Sequence, residues 1–287
     1  MRVRRPFAFV CGVALLAGAC AAESGPSGLD DGAEASPPSL GSRGLWPVDP
    51  AELDPAAPPT WSVDVLDRYP HDPIAFTQGL EMVDADTVAE STGLRGHSAI
   101  RLVRVSDGTV TTSEPIDTLH FGEGLTRVGD TVVQLTWQSG VAYRWQLPAL
   151  TPLDPFTYDG EGWGLCEAGG RLAMSNGSAR LTWRDPTSFE ALETVEVLDQ
   201  GRPVSDLNEL ECIDDLVVAN VWRTDQLVVI RRDGAVIARI DASPLVAEIA
   251  ASNGDDVLNG VADLGDGTLL LGGKRWPTFF RVRLIAP

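Results

Sequence analysis

The feature that most constrains this chain is a unit that recurs five times. Aligned aliphatic positions at Leu80, Leu125, Leu165, Leu210 and Val261 stand roughly 40–50 residues apart. Each opens a strand, a Gly/Asp turn, a second strand and then two more. In the second unit residues 125–128 form a strand, Gly129-Asp130 a turn and residues 131–136 a β-branched strand. Gln138-Ser139-Gly140 turns again, and residues 141–147 and 150–156 complete the set. Short strands separated by such turns at this period predict the blades of a β-propeller.

The expected fold is therefore all-β, a five-bladed β-propeller over residues 60–287. The last unit offers about three strands before Pro287. Residues 60–66, with the alternation Ser62-Val63-Asp64-Val65, are the candidate fourth, and pairing the two ends in one blade removes exposed edges. One short inserted helix is expected, with residues 241–243 as the cap region, Pro244 in the first turn and residues 245–251 continuing.

Before the repeats lie two other segments. Arg2 to Arg5 are basic, residues 7–16 apolar, and Ala17-Gly18-Ala19-Cys20 small, which predicts an export signal over residues 1–20. A cysteine after small residues also resembles a bacterial lipoprotein processing site, so lipid on Cys20 and simple secretion both remain expectations. The destination would be the periplasm or the cell surface. Residues 21–59 are rich in Gly, Ser, Pro, Ala and Asp and read as a disordered linker. No later stretch is apolar enough to cross a membrane.

The net charge of −19 opposes binding to nucleic acid or anionic lipid surfaces. Of the four cysteines only Cys166 and Cys212 fall in the body. An oxidising compartment permits a bridge between them; the alternative is two buried thiols acting as small hydrophobes.

In each unit the first two strands form a hairpin, so the residue before the first lies beside the residue after the second. Reflection about the turns pairs Gln78 with Thr92, Glu123 with Trp137, Trp163 with Asn176, Asn208 with Trp222 and Asn259 with Lys274. All five pairs occupy one end of their blades. With the first strand innermost, they converge at the mouth of the central channel. A single Trp in a repeat is most often packing, but three Trp converging with Glu and Lys are harder to dismiss, because those charges seldom enter a crowded channel without pairing or function.

At these positions the chain resembles the plant and bacterial glutaminyl-peptide cyclotransferases of the papaya-latex type. The motifs are Tyr69-Pro70-His71-Asp72-Pro73, Ala75-Phe76-Thr77-Gln78-Gly79-Leu80, Glu90-Ser91-Thr92-Gly93, Phe121-Gly122-Glu123-Gly124-Leu125-Thr126 and Leu135-Thr136-Trp137. They continue with Gly160-Glu161-Gly162-Trp163-Gly164-Leu165, Leu207-Asn208-Glu209-Leu210-Glu211, Asn220-Val221-Trp222, residues 257–262 and Gly273-Lys274-Arg275-Trp276-Pro277. Each is weak alone, and in this order they are specific.

The resemblance implies a five-bladed propeller that converts N-terminal glutamine of peptides or proteins to pyroglutamate, releasing ammonia. It implies Glu123 as the proton-transferring acid, with Lys274, Asn208 and Gln78 as polar groups that position substrate; the hairpin pairing adds Asn259 to the expected substrate-binding residues. Phe76, Phe121, Trp137, Trp163 and Trp222 would form the aromatic pocket. It implies an acyltransferase with no zinc, leaving open a structural metal ion in the channel, and a monomer acting on peptide N-termini. Arg95 departs from the pattern, standing where an aromatic is expected. Two other readings compete: an exported propeller that only binds peptides or sugars, and a propeller glycoside hydrolase with a carboxylate pair drawn from Glu123, Glu161, Glu209 and Glu211. No HExxH or paired-cysteine zinc motif and no Gly-x-Ser-x-Gly elbow occurs.

Overall fold

The computed structural model of the chain describes residues 44–250 and 254–287. The expected signal, Cys20 and the linker up to residue 43 lie outside the described residues. The first repeat contains β2 (Thr77–Met82), β3 (Thr87–Thr92), β4 (Ala99–Arg104) and β5 (Val110–Pro115), preceded by β1 (Thr60–Pro70). The second contains β6 (Gly122–Val128), β7 (Thr131–Thr136), β8 (Val141–Gln146) and β9 (Thr151–Thr157). The third contains β10 (Leu165–Ala168), β11 (Arg171–Met174), β12 (Arg180–Arg184) and β13 (Ala191–Glu196). A two-strand ribbon, β14 (Leu198–Asp199) with β15 (Arg202–Pro203), leads to the fourth: β16 (Leu207–Ile213), β17 (Leu216–Val221), β18 (Gln226–Arg231) and β19 (Val236–Asp241). After α1 (Ser243–Ile249) come β20 (Leu258–Asp263), β21 (Leu269–Gly273) and β22 (Thr278–Ile285).

The first three repeats are separate four-stranded antiparallel sheets in chain order. The rest form one eight-stranded sheet, β16-β17-β18-β19-β1-β22-β21-β20. Its seam is β1, antiparallel to β22 from Ser62 opposite Ile285 to Pro70 opposite Thr278, as the alternation at residues 62–65 leads one to expect. The same strand also pairs parallel with β19 through Thr60, Trp61 and Ser62, which the pattern does not reveal. The first strands of the repeats pack in a closed ring, β2 on β6, β6 on β10, β10 on β16, β16 on β20 and β20 on β2. The fold is all-β and propeller-like.

Burial falls from the ring outward. β6 is buried over Gly122–Thr126, whereas β9 is mostly exposed, so inner strands need small or aliphatic residues on both faces and outer strands do not. Hydrophobic clusters fill the spaces between neighbouring sheets, with Trp61, Trp276 and Phe280 in the largest. Gly169-Gly170, with φ of 56° and 75°, makes the two-residue β10–β11 turn in the primed geometry that suits twisted hairpins.

The ring is tightest where each inner strand leaves the pocket end. A Cβ on Gly124 would lie 2.6 Å from the Gly164 Cα, and one on Gly164 2.1 Å from the Asn208 carbonyl oxygen. The fourth repeat carries Glu209 at this level instead of glycine. Its buried carboxylate accepts the Leu80 N–H at 3.2 Å and the Val261 N–H at 2.9 Å, tying the fourth repeat to the first and the fifth.

Cys166 and Cys212 are disulfide-bonded with Cα atoms 5.3 Å apart, joining β10 to β16, so the bridge and not the pair of free thiols is found. The expected helix is present but starts at Ser243 and ends at Ile249, with Ala250 in the left-handed conformation; Asp241 Oδ1 accepts the Ser243 N–H. Packed structure begins before residue 60. Leu45 is fully buried against the cluster that holds Trp61, and Trp46 and Leu53 pack on the same cluster. These apolar residues overcome the loop-forming composition of the expected linker over residues 44–59.

Candidate active site

A repeated backbone irregularity builds the site. Between Thr77 and Gly79, Gly122 and Leu125, Leu207 and Leu210, and Leu258 and Val261, the inner strand carries one residue more than its partner. These β-bulges contain Gln78, Glu123, Asn208 and Asn259, and a bulge turns its extra side chain away from the sheet pattern. The third repeat has no bulge, and Trp163 lies just before β10, its N–H donating to the Ser175 carbonyl at 3.0 Å. Trp137, Trp222 and Lys274 stand one residue past the second strands, their N–H groups donating to Phe121, Asp206 and Val257 carbonyls.

One pocket of about 190 Å³ is lined by Phe76, Gln78, Phe121, Glu123, Trp137, Trp163, Asn208, Trp222, Asp255 and Lys274. Nine of the ten sequence-nominated residues are therefore together. Asn259 is not a lining residue. Fully buried, it donates from Nδ2 to the Thr77 carbonyl at 3.0 Å and to Gln78 Oε1 at 3.1 Å, so it holds Gln78 from behind. With its oxygen so engaged, Gln78 presents amide N–H to the pocket.

The walls are aromatic, in two groups of rings. Phe76 meets Phe121 edge-on at 6.0 Å, Phe121 meets Trp137 at 5.9 Å, and Trp163 meets Trp222 at 5.6 Å. Glu161 closes the gap: its Oε2 accepts the indole N–H of Trp137 at 2.8 Å and of Trp163 at 3.0 Å, while Oε1 accepts Gln138 at 2.8 Å. Burial opposes ionisation of Glu161, but these three donors hold its carboxyl below the usual range.

Four buried polar side chains face one another within these walls: Gln78, Glu123, Asn208 and Lys274. Burial pushes the Glu123 carboxyl well above its ordinary range; Lys274 pulls it back and Glu161 adds to the rise. No described residue donates a hydrogen bond to that carboxylate. Burial also pushes Lys274 down to about 8, against the attraction of Glu123 and Asp255. The two line the pocket without a direct ion pair, and Lys274 Nζ lies 5.1 Å from the centre of the Phe76 ring. Asn208 Oδ1 is buried with no hydrogen-bond partner among the described residues.

The loop that carries Phe76 is pinned from below. Glu90 accepts from His71 Nε2 at 3.0 Å, from Thr77 Oγ1 at 2.8 Å and from Arg101, which also bonds Asp72 at 2.7 Å. Burial alone would raise Glu90, yet His71 and Arg101 outweigh it and bring the carboxyl down to about 2.

Glu209 and Glu211 are engaged elsewhere, on the backbone N–H groups of Leu80, Val261 and Asp263, which removes them as glycosidase partners of Glu123. The hairpin pattern does not mark Asp255 on the pocket wall, which lies in the segment between α1 and β20, nor Arg223 and Arg275 at the edge, each one residue beyond a position the pattern does mark. Among the described residues no cluster of three or more His, Cys, Asp or Glu is placed to hold a metal.

The sequence matches the glutamine cyclotransferase family over residues 44–284. The chain belongs to that family. It is 38% identical over 227 residues to a glutaminyl-peptide cyclotransferase of Arabidopsis thaliana, covering 77% of this chain and 71% of that protein. Its structure is also similar to the crystal structure of Myxococcus xanthus glutaminyl cyclase, at 34% identity and a TM-score of 0.76, covering 80% of this chain and 100% of the other. Membership in the family accounts for the motif order around the pocket. No described helix is long and apolar enough to cross a membrane.

Proposed function

We propose that this chain is a glutaminyl-peptide cyclotransferase, an acyltransferase that closes N-terminal glutamine to pyroglutamate by intramolecular aminolysis. The observation that carries the reading is one buried carboxylate, Glu123, with no hydrogen-bond donor among the described residues, inside an aromatic pocket that also contains Lys274 and Asn208.

Nucleophile and electrophile sit on one flexible residue, so holding that residue folded supplies much of the acceleration. The flat walls of Phe76, Phe121, Trp137, Trp163 and Trp222 do this and exclude water. The uncharged α-amine attacks the side-chain amide carbon, forming the new C–N bond. Glu123 accepts the amine proton and passes it to the amide nitrogen, which leaves as ammonia when the old C–N bond breaks. Lys274 and Asn208 donate to the amide oxygen as it gains charge, and Gln78 N–H completes the polar floor. Every step falls to a side chain, so no cofactor is assigned.

The same reading takes the five four-stranded repeats as five blades of a closed propeller acting as a monomer. Export to the periplasm or cell surface fits the basic-apolar-small N-terminus and the disulfide, with lipid on Cys20 as one form of retention. The test is incubation of the purified protein with a Gln-initiated peptide, following ammonia loss by mass spectrometry. Turnover is expected near neutral pH and should vanish in a folded Glu123→Ala variant. No turnover by the unaltered protein overturns the reading, whereas binding without turnover supports a binding propeller.

A further inference from the structure

We propose that the pocket mouth between the first two repeats is an extended substrate subsite. There Arg95 selects peptides that carry a carboxylate one or two residues after the N-terminal glutamine. The proposal rests on the cyclase reading and adds a substrate class to it.

Arg95 is exposed but held. It stands at the tip of the β3–β4 loop, where Leu94 and Gly96 have φ of 82° and 81° and the Leu94 carbonyl accepts both the His97 N–H and the Ser98 hydroxyl at 2.9 Å. The loop is tied to the pocket on both sides: Gly93 N–H donates to the Phe76 carbonyl at 2.8 Å, and Gly122 N–H donates to Ser98 Oγ at 3.0 Å. Arg95 Nε donates to the Leu119 carbonyl at 3.1 Å, and its guanidinium lies 5.7 Å from the Trp137 ring centre. Its charge therefore stands at the outer edge of the aromatic wall.

Two further arginines ride on that wall, and both are neutralised. Arg223 lies 4.2 Å from the Trp222 ring and pairs with Asp255 at 3.2 Å; Arg275 lies 4.8 Å from Phe76 and pairs with Asp256 at 2.7 Å. Arg95 has no carboxylate partner among the described residues, in a chain with 41 acidic residues against 22 basic ones. A cation left unpaired at the mouth of a substrate pocket in so acidic a protein is available to an anion from outside. Beside it stands exposed apolar footing: Leu119, whose carbonyl anchors Arg95, is 75% exposed and lies two residues before the wall residue Phe121. With the α-amine at Glu123, each further substrate residue adds about 3.8 Å of chain, so the second and third residues leave the pocket through its mouth, where Arg95 stands on the Trp137 side.

The test compares kcat/KM on three peptides identical except for Glu, Ala or Lys after the N-terminal glutamine. The expected order is Glu, Ala, Lys, with steps of about two- to fivefold at low salt, the scale of an exposed ion pair. The differences should collapse at about 1 M salt, where screening reaches about 3 Å. Arg95→Gln should flatten the order and Arg95→Glu should invert it. Equal rates on all three peptides, or the same order in Arg95→Glu, overturn the subsite while leaving the cyclase reading intact. No turnover on any of the three by the unaltered protein overturns both.

Discussion

The Glu161 carboxylate accepts the indole N–H of Trp137 at 2.8 Å across the boundary between the second and third repeats. The same oxygen holds Trp163, so one side chain outside the pocket sets the angle of two of its walls. Glu161→Gln can satisfy both indoles only by turning its single carbonyl to them, and it loses the charge that strengthens those bonds. KM for a Gln-initiated peptide should rise about tenfold, the scale of one charged hydrogen bond, with a smaller change in kcat and a red shift of tryptophan fluorescence. Unchanged KM and fluorescence would show that the indoles hold their places without it.

Glu123 pays for its readiness to accept a proton. A buried carboxylate without donors opposes folding once ionised. Glu123→Gln should lower kcat by about 10²–10⁴-fold, the usual contribution of one proton-transferring group, while Tm at neutral pH stays level or rises. A fall in Tm alongside the lost activity would mean that the carboxylate is structural.

Lys274, brought down to about 8 by burial, sets the alkaline limit. Above that pH it loses the charge that meets the developing oxyanion, so kcat should decline through about pH 8. A kcat that stays level to about pH 10, the range of an ordinary lysine, would remove that charge from the reaction.

The carboxylates away from the pocket give stability a maximum on the acid side of neutrality. Burial raises Glu209 to about 8 against its two backbone donors and Glu81 to about 7, so the folded state binds protons the unfolded chain has released. Stability therefore falls as pH rises from the ordinary carboxyl range toward 8. Glu90 works in the other direction: held down to about 2, its contribution is present above the ordinary carboxyl range and is lost as pH falls toward 2. Thermal unfolding should give the highest Tm near about pH 5. Glu209→Gln turns an amide toward Leu80 or Val261 N–H and should cost about 1–3 kcal/mol. A Tm rising steadily through pH 8 would contradict the assignment.

The Cys166–Cys212 bridge closes a loop with a sequence separation of 46. Loop-closure entropy gives its removal a cost of about 4 kcal/mol. Cys166→Ser/Cys212→Ser should lower the denaturant midpoint accordingly, and a midpoint unchanged under reducing and non-reducing conditions would argue against the bond.

The repeat made most of the site legible, because five copies of one hairpin put Glu123, Asn208, Trp137, Trp222 and Lys274 at one end whatever the details. The pairings themselves shifted in four repeats, since each bulge adds a residue that no turn signal marks. Both Gln78 and Asn259 lie in such bulges, and it is the hydrogen bond from Asn259 to Gln78 that makes one face the pocket and the other support it. Leu45 and Trp46 were hidden by the Pro- and Gly-rich stretch around them, and the disulfide depended on a distance between strands that spacing does not fix. Glu161 lay inside a quoted motif, but its partners Trp137 and Trp163 come from different repeats, a contact visible only once the ring is closed.

The seam strand has a consequence for how the chain is made. Residues 60–70 cannot complete their sheet until residues 278–285 arrive, the most distant pairing in the body. During synthesis the early strand must wait for nearly the whole sequence to emerge, and its lone partner in between, β19, offers only three residues of parallel pairing. Completion of the seam is thus the last event to become available, and a product truncated before Thr278 would leave the edges of β1 and β21 unmatched and open to association with other chains.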